Sequence, residues 1–249
     1  MNVRHPLVWA LLPLVLATAS CVSTEARKKA SYHYQMGVSF LNENNLTGAL
    51  VELTEAEKVN PDDPELQNYL GLAYFRKNRY DLAEPKFLRA LELKPEFSEA
   101  RSNLGLTYLQ MKRWDDAIHE FKLVTEDIFY QNQESATINL GIAYLSKGEY
   151  PKALATLRGA ATSYPRNPIA RVYLGKVYFT LDKPELAIQE FKKAIEINRD
   201  YANAHYQLGL AYLKVKDNKA ALASFKEVLR IAPDSDMGML SREYLDLLK

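Results

Sequence analysis

Cysteine is nearly absent: the 249-residue chain holds one, Cys21, so no internal disulfide can form. Glycine and proline are scarce, at 10 and 11, too few for a low-complexity or disordered chain. An excess of one charge is missing too, since 32 Lys and Arg stand against 31 Asp and Glu. A nucleic-acid binder carries a basic excess or stripe, and this chain has neither. The four histidines, His5, His33, His119 and His205, show no metal-ligand spacing. There is no His-Glu-x-x-His, no phosphate-cradling glycine loop and no paired-cysteine motif. The carboxylate pairs Asp62-Asp63 and Asp115-Asp116 sit where a cap or a solvated turn wants them. These absences point away from an enzyme, a metal, a nucleic acid and a small-molecule substrate. What is present, 47% apolar and 25% charged residues, is the composition of a folded protein.

The first twenty residues have the order of a secretory signal. Arg4 supplies the charged start, Pro6 to Leu16 an apolar run too short to span a bilayer, and Ala17 to Ser20 the small residues before Cys21. Small residues directly before a cysteine resemble a bacterial lipobox, with Thr18 standing where Leu or Val is commoner. The resemblance implies cleavage before Cys21 and acyl and diacylglycerol chains on it, with no other cofactor. At about 0.8 kcal/mol per buried methylene, two or three chains anchor stably. The alternative is an ordinary cleaved signal with Cys21 a bystander. Val22 follows the cysteine where Asp would resemble an inner-membrane retention signal, which favours the outer membrane. Cleavage removes Arg4 and leaves thirty-one charges of each sign.

Beyond the signal a period dominates. Gly37, Gly71, Gly105, Gly141, Gly175 and Gly209 are spaced by 34, 34, 36, 34 and 34 residues. A period of this size signals a solenoid of stacked units. Three residues after each glycine stands an aromatic, Phe40 or Tyr74, Tyr108, Tyr144, Tyr178 and Tyr212. Twelve after are Ala49, Ala83, Ala117, Ala153, Ala187 and Ala221, and sixteen after are Leu53, Phe87, Phe121, Leu157, Phe191 and Phe225. Pro61, Pro95, Pro165 and Pro233 close four units, with Phe129 and Arg199 in the other two. Apolar residues at three- and four-residue intervals predict two amphipathic helices per unit. Glycine and alanine then mark close helix approach, and the large residue fills the gap beside them. Asp81 and Asp115 are placed to cap the second helices of their units.

This pattern is identified as that of the tetratricopeptide repeat (TPR). The resemblance implies an all-α fold, a right-handed TPR superhelix of six helix-turn-helix repeats with a C-terminal capping helix. The expected organisation is a signal peptide over 1–20, an acylated start and tether over 21–29, and repeats over 30–63, 64–97, 98–133, 134–167, 168–201 and 202–235. A capping helix over 236–249 follows, in which Met239, Leu240, Tyr244, Leu245 and Leu248 are expected to cover the last repeat.

In such arrays the first helix of each unit lines the concave surface. The columns one and four residues after each glycine are almost wholly apolar and include Leu72, Phe75, Leu106, Leu109, Ile142, Leu145, Phe179, Leu210 and Leu213. Lys176 and, three before its glycine, Val172 belong to the same surface. Either part of this stripe is inter-repeat core, or it is a groove for an amphipathic helix or extended apolar peptide. Only Asn68, Arg76, Lys176 and Lys214 are scattered there, with no pattern for clamping a carboxylate tail.

A lipoprotein made of a signal, a short tether and six such repeats resembles the PilF/PilW/Tgl pilotin group of type IV pilus biogenesis. The break in period at Thr125 to Gln131, with two extra residues, is similar to an irregularity of that family. The resemblance implies an outer-membrane, periplasm-facing scaffold whose partner is the pilus secretin. It has Leu72, Phe75, Leu106 and Leu109 on the binding surface and touches the membrane through the lipid alone. The alternative is a general TPR adaptor lipoprotein organising another periplasmic or envelope assembly or export complex.

Overall fold

The computed structural model describes residues 23–248; the signal segment and Cys21 lie outside them. Thirteen helices and no strand occur among the described residues. They form pairs: α1 (Thr24–Asn42) with α2 (Leu46–Glu57), α3 (Pro64–Arg76) with α4 (Tyr80–Leu93), and α5 (Ser98–Gln110) with α6 (Trp114–Glu126). α7 (Gln133–Lys147) with α8 (Tyr150–Ser163), α9 (Pro168–Thr180) with α10 (Pro184–Ile197) and α11 (Ala202–Lys214) with α12 (Asn218–Ile231) complete the six, and α13 (Asp236–Leu247) closes the array.

Local chemistry sets the helix ends. Asp63 and Asn167 cap α3 and α9 by accepting two backbone N–H groups each, with a proline at the first helical position where no donor is needed. The turn inside every repeat is closed by one left-handed residue, always seven after the signature glycine. These are Asn44, Asn78, Lys112, Gly148, Asp182 and Lys216, with φ between 58° and 85°. Asn and Gly suit that conformation; lysine takes it at a cost. Asp81 and Asp115 do not cap α4 and α6, because these helices begin two residues earlier than their position requires, with Arg79 and Arg113 at the caps. Asp81 instead accepts from the Arg79 guanidinium at 3.0 and 3.1 Å, and Asp115 pairs with Lys147 at 2.6 Å.

Within each pair the glycine of the first helix rests on the large side chain sixteen residues on. A Cβ built on Gly105 would lie 2.8 Å from a Phe121 ring carbon, and one on Gly209 would lie 2.6 Å from Phe225. The alanine column and all six large partners are fully buried. Repeats 1, 3 and 5 add a polar side-chain pair between residues nineteen apart, an ion pair in repeats 3 and 5. His33 meets Glu52 at 2.6 Å, Arg101 meets Glu120 at 2.8 Å and Arg171 meets Glu190 at 2.9 Å. The core is a chain of clusters along the array, as expected when each unit buries its stripe against its neighbours.

First helices of neighbouring repeats touch one another, whereas second helices of neighbouring repeats do not. The array therefore curves with α1, α3, α5, α7, α9 and α11 on its inner side. Two expectations about the ends need correction. Residues 24–29, expected as tether, are the first turns of α1, capped by Ser23, so α1 starts thirteen residues before its glycine where other first helices start seven or eight before theirs. On α13, Met239 and Leu240 are exposed; Gly238 and Ser241 face inward instead, and Tyr244 stacks on Phe225 at 4.8 Å. Gly238 lies so close to the Ala232 and Pro233 carbonyls that no side chain fits there.

Candidate functional site

The inner surface is built from first-helix residues that the signature leaves free. Leu72, Phe75, Leu106, Leu109, Ile142 and Leu145 are half-buried and pack against the central core. Phe179 does the same against the C-terminal core, and Leu210 and Leu213 are half-buried. These nine form a low apolar wall, partly anchored and partly open. Val172 does not belong to it. The residue is completely buried and packs with Phe191 and Ala204, because its column turns into the seam between repeats. Leu41 is buried as well, at 2% exposure. Val172 and Leu41 are thus core, and the nine others stay half-buried.

The structure adds a column that the sequence pattern did not single out, two residues before each glycine: Gln35, Tyr69, Asn103, Asn139, Tyr173 and Gln207. Two of them lie beside the residue three before the preceding glycine. Tyr69 meets Tyr34 edge to face with ring centroids 5.7 Å apart, and Asn103 Nδ2 donates to Asn68 Oδ1 at 3.0 Å. The partners are 35 residues apart, so only the angle between repeats brings them together.

Charges on this surface are few. Asn68 Nδ2 donates to Glu99 Oε1 at 3.4 Å. The hydroxyls of Tyr34 and Tyr69 are held above their usual range, first by burial and then by neighbours that include Glu65 for both and Glu99 for Tyr69. Arg76 donates to the Leu41 carbonyl at 2.8 Å. Lys176 holds its ammonium 4.7 Å from the Tyr173 ring centre, and burial pulls its pKa down.

A second surface lies at the irregular junction. Asp127 Oδ1 accepts from the Phe129 N–H at 3.0 Å and Oδ2 from the Ser98 hydroxyl at 2.5 Å, so the turn is tied to α5. Ile128 and Phe129 nevertheless project outward, 81% and 87% exposed. Among the described residues no group of three or more His, Cys, Asp or Glu side chains could hold a metal, and no helix is long and apolar enough to cross a membrane.

Family models described as tetratricopeptide repeat match residues 34–96, 78–127 and 202–235, and one described as TPR repeat matches 183–216. The chain is a tetratricopeptide-repeat protein. Mouse Superkiller complex protein 3 is 35% identical over 103 residues, 39% of this chain and 6% of that protein. The Arabidopsis thaliana chloroplast TPR protein PYG7 is 33% identical over 110 residues, 43% of this chain and 36% of that protein. The chain thus spans well under half of these relatives, and the likeness is one of repeats.

Solved structures match along the whole TPR array. PilF of Pseudomonas aeruginosa superposes with a TM-score of 0.70 at 16% identity, over 88% of this chain and 99% of that one. PilW, described as a widely conserved type IV pilus biogenesis factor, gives 0.76 at 19% identity, over 85% and 97%. A TPR protein of Parabacteroides merdae gives 0.72 at 19% identity, over 88% and 84%. At these identities the likeness is one of fold. A half-open apolar wall on a rigid TPR scaffold is suited to docking another protein.

Proposed function

We propose that this chain is a lipid-anchored scaffold of the pilotin kind, which binds the type IV pilus secretin and assists its assembly at the outer membrane. The observation that supports this reading is the extent of the likeness to PilF and PilW. Nearly the whole of each of those chains is matched, over 88% and 85% of this one. The half-buried wall of Leu72, Phe75, Leu106 and Leu109 offers apolar surface for the partner. Acylation of Cys21 would place the anchor two residues before Ser23, the cap of α1, and so bring the first repeat against the periplasmic face of the membrane.

The test is the amount of heat- and detergent-resistant secretin multimer in cells lacking the chain. Collapse to monomer with unchanged secretin expression supports the proposal, and normal multimers end it. A general envelope adaptor is the second reading, favoured by the equally good superposition of the Parabacteroides merdae protein. Crosslinking from Leu109 would then recover a partner other than a secretin.

A further inference from the structure

The chemistry of the inner surface changes sign along the array. In repeats 2 and 3 the positions six before the glycine are Glu65 and Glu99, both exposed. Their carboxylates act on the Tyr34–Tyr69 ring pair, and the one cation on the inner face of α3, Arg76, donates to a backbone carbonyl of repeat 1. In repeat 4 the surface is uncharged, with Ser135, Asn139, Ile142, Leu145 and Ser146. In repeats 5 and 6 cations lie over aromatic rings. Lys176 stands over Tyr173 at 4.7 Å, and Lys214 over Phe179 at 4.8 Å.

Lys176 carries most of the argument. Five of the six residues in its column are Val, Leu or Ile, and it alone brings a charge into the apolar wall. It is half-buried over the Tyr173 ring and makes no ion pair with the described residues, and burial lowers its pKa. A cation drawn partly out of water without a counter-charge is costly, and a single ring face offsets only part of that cost. Lys214 has one carboxylate, Asp182 at 2.7 Å, whose side chain is 81% exposed.

We infer that the groove holds its partner segment in one direction, with a basic group over Glu65 and Glu99, an apolar stretch across repeat 4, and a carboxylate at Lys176. This rests on the groove being the docking surface. Charge complementarity of this kind selects orientation and partner more than it adds affinity. The occupant is therefore an apolar peptide segment that is basic at one end and acidic at the other.

The test uses the full chain with Cys21→Ser and three fluorescent 16-residue probes built on one Leu/Ala/Phe sequence. One carries two Lys at its start and two Glu at its end, the second has these reversed, and the third has Gln at all four sites. Fluorescence polarisation reads affinity, and a nitroxide on the Lys end reads direction through broadening of assigned amide signals. The expected result is broadening in repeats 1–3 for both charged probes, with Lys176→Met weakening them on the order of tenfold and leaving the Gln probe unchanged. Combining Glu65→Lys, Glu99→Lys, Lys176→Glu and Lys214→Glu should move the broadening to repeats 5–6. All four sites are exposed or half-buried, and the melting temperature checks that these variants fold. If the Gln probe binds in the groove and charges leave affinity and direction unaltered, the inference falls while the groove stands. If every probe leaves the inner surface unperturbed, both fall.

Discussion

A methyl group on Gly71 would lie 2.6 Å from Cε1 of Phe87, closer than carbon atoms pack, so Phe87 is what excludes any other residue at position 71. The same relation recurs in all six repeats, with leucine as the partner in repeats 1 and 4. Gly71→Ala should cost about 1–3 kcal/mol through overpacking, and Phe87→Ala about 3–5 kcal/mol through its cavity. The double variant should cost less than the sum, because the new methyl points into the space the ring leaves. Urea midpoints of the four proteins measure this coupling, and strict additivity would mean the two residues are not in contact.

Val172 and the groove wall should part company on substitution. Val172→Asp buries a carboxylate among Phe191 and Ala204 and should cost more than about 4 kcal/mol. Phe75→Asp with Leu109→Asp should keep the helical signal and lower the melting temperature modestly, since both residues are half-buried. Partner capture should be lost. Circular dichroism melts separate the two cases.

Arg171 and Lys193 both bind Glu190, at 2.9 and 2.7 Å, and the Glu190 side chain is only 9% exposed. Arg171→Met leaves that carboxylate short of its better-buried partner and should cost about 3 kcal/mol. Arg171→Met combined with Glu190→Leu should recover most of the loss. A double variant no more stable than the single one would contradict this account.

Lys112 and Lys216 hold φ of 59° and 63°, a conformation that glycine adopts without penalty. Lys112→Gly and Lys216→Gly should each stabilise the array by about 1 kcal/mol, after the extra chain entropy of glycine is deducted. A fall in thermal midpoint would show that the lysine side chains make up for the strain.

Glu149 is held down to about 2, first by Lys147 and then by Lys152. A carboxylate with a depressed native pKa stabilises the fold above its unfolded value and loses that contribution as pH falls toward the native one. The affected window is therefore about pH 4.5 down to 2. Glu149→Gln should flatten the acid limb of the stability curve there and leave its slope near pH 7 unaltered. Denaturation midpoints at four or five pH values check it.

How much could be read before the structure depends on the distance over which each contact acts. The period, the helix pairs, the alanine column and the glycine–phenylalanine contact lie within one repeat, and partners sixteen residues apart leave a spacing that recurs six times. The caps assigned to Asp81 and Asp115 failed because α4 and α6 start two residues before the position such a cap needs, a shift smaller than the pattern resolves. The nineteen-residue polar pairs escaped notice because they occupy alternate repeats only.

The sequence by itself determined the solenoid, its six units and the identity of its buried columns, because those are written in contacts between a helix and its immediate successor. Which face is concave, that Val172 is core while Leu145 stays half-open, and that Tyr34 meets Tyr69 were decided by the rotation between successive repeats. That rotation is set by the summed packing of whole helix faces across a seam, and no single residue spacing encodes it.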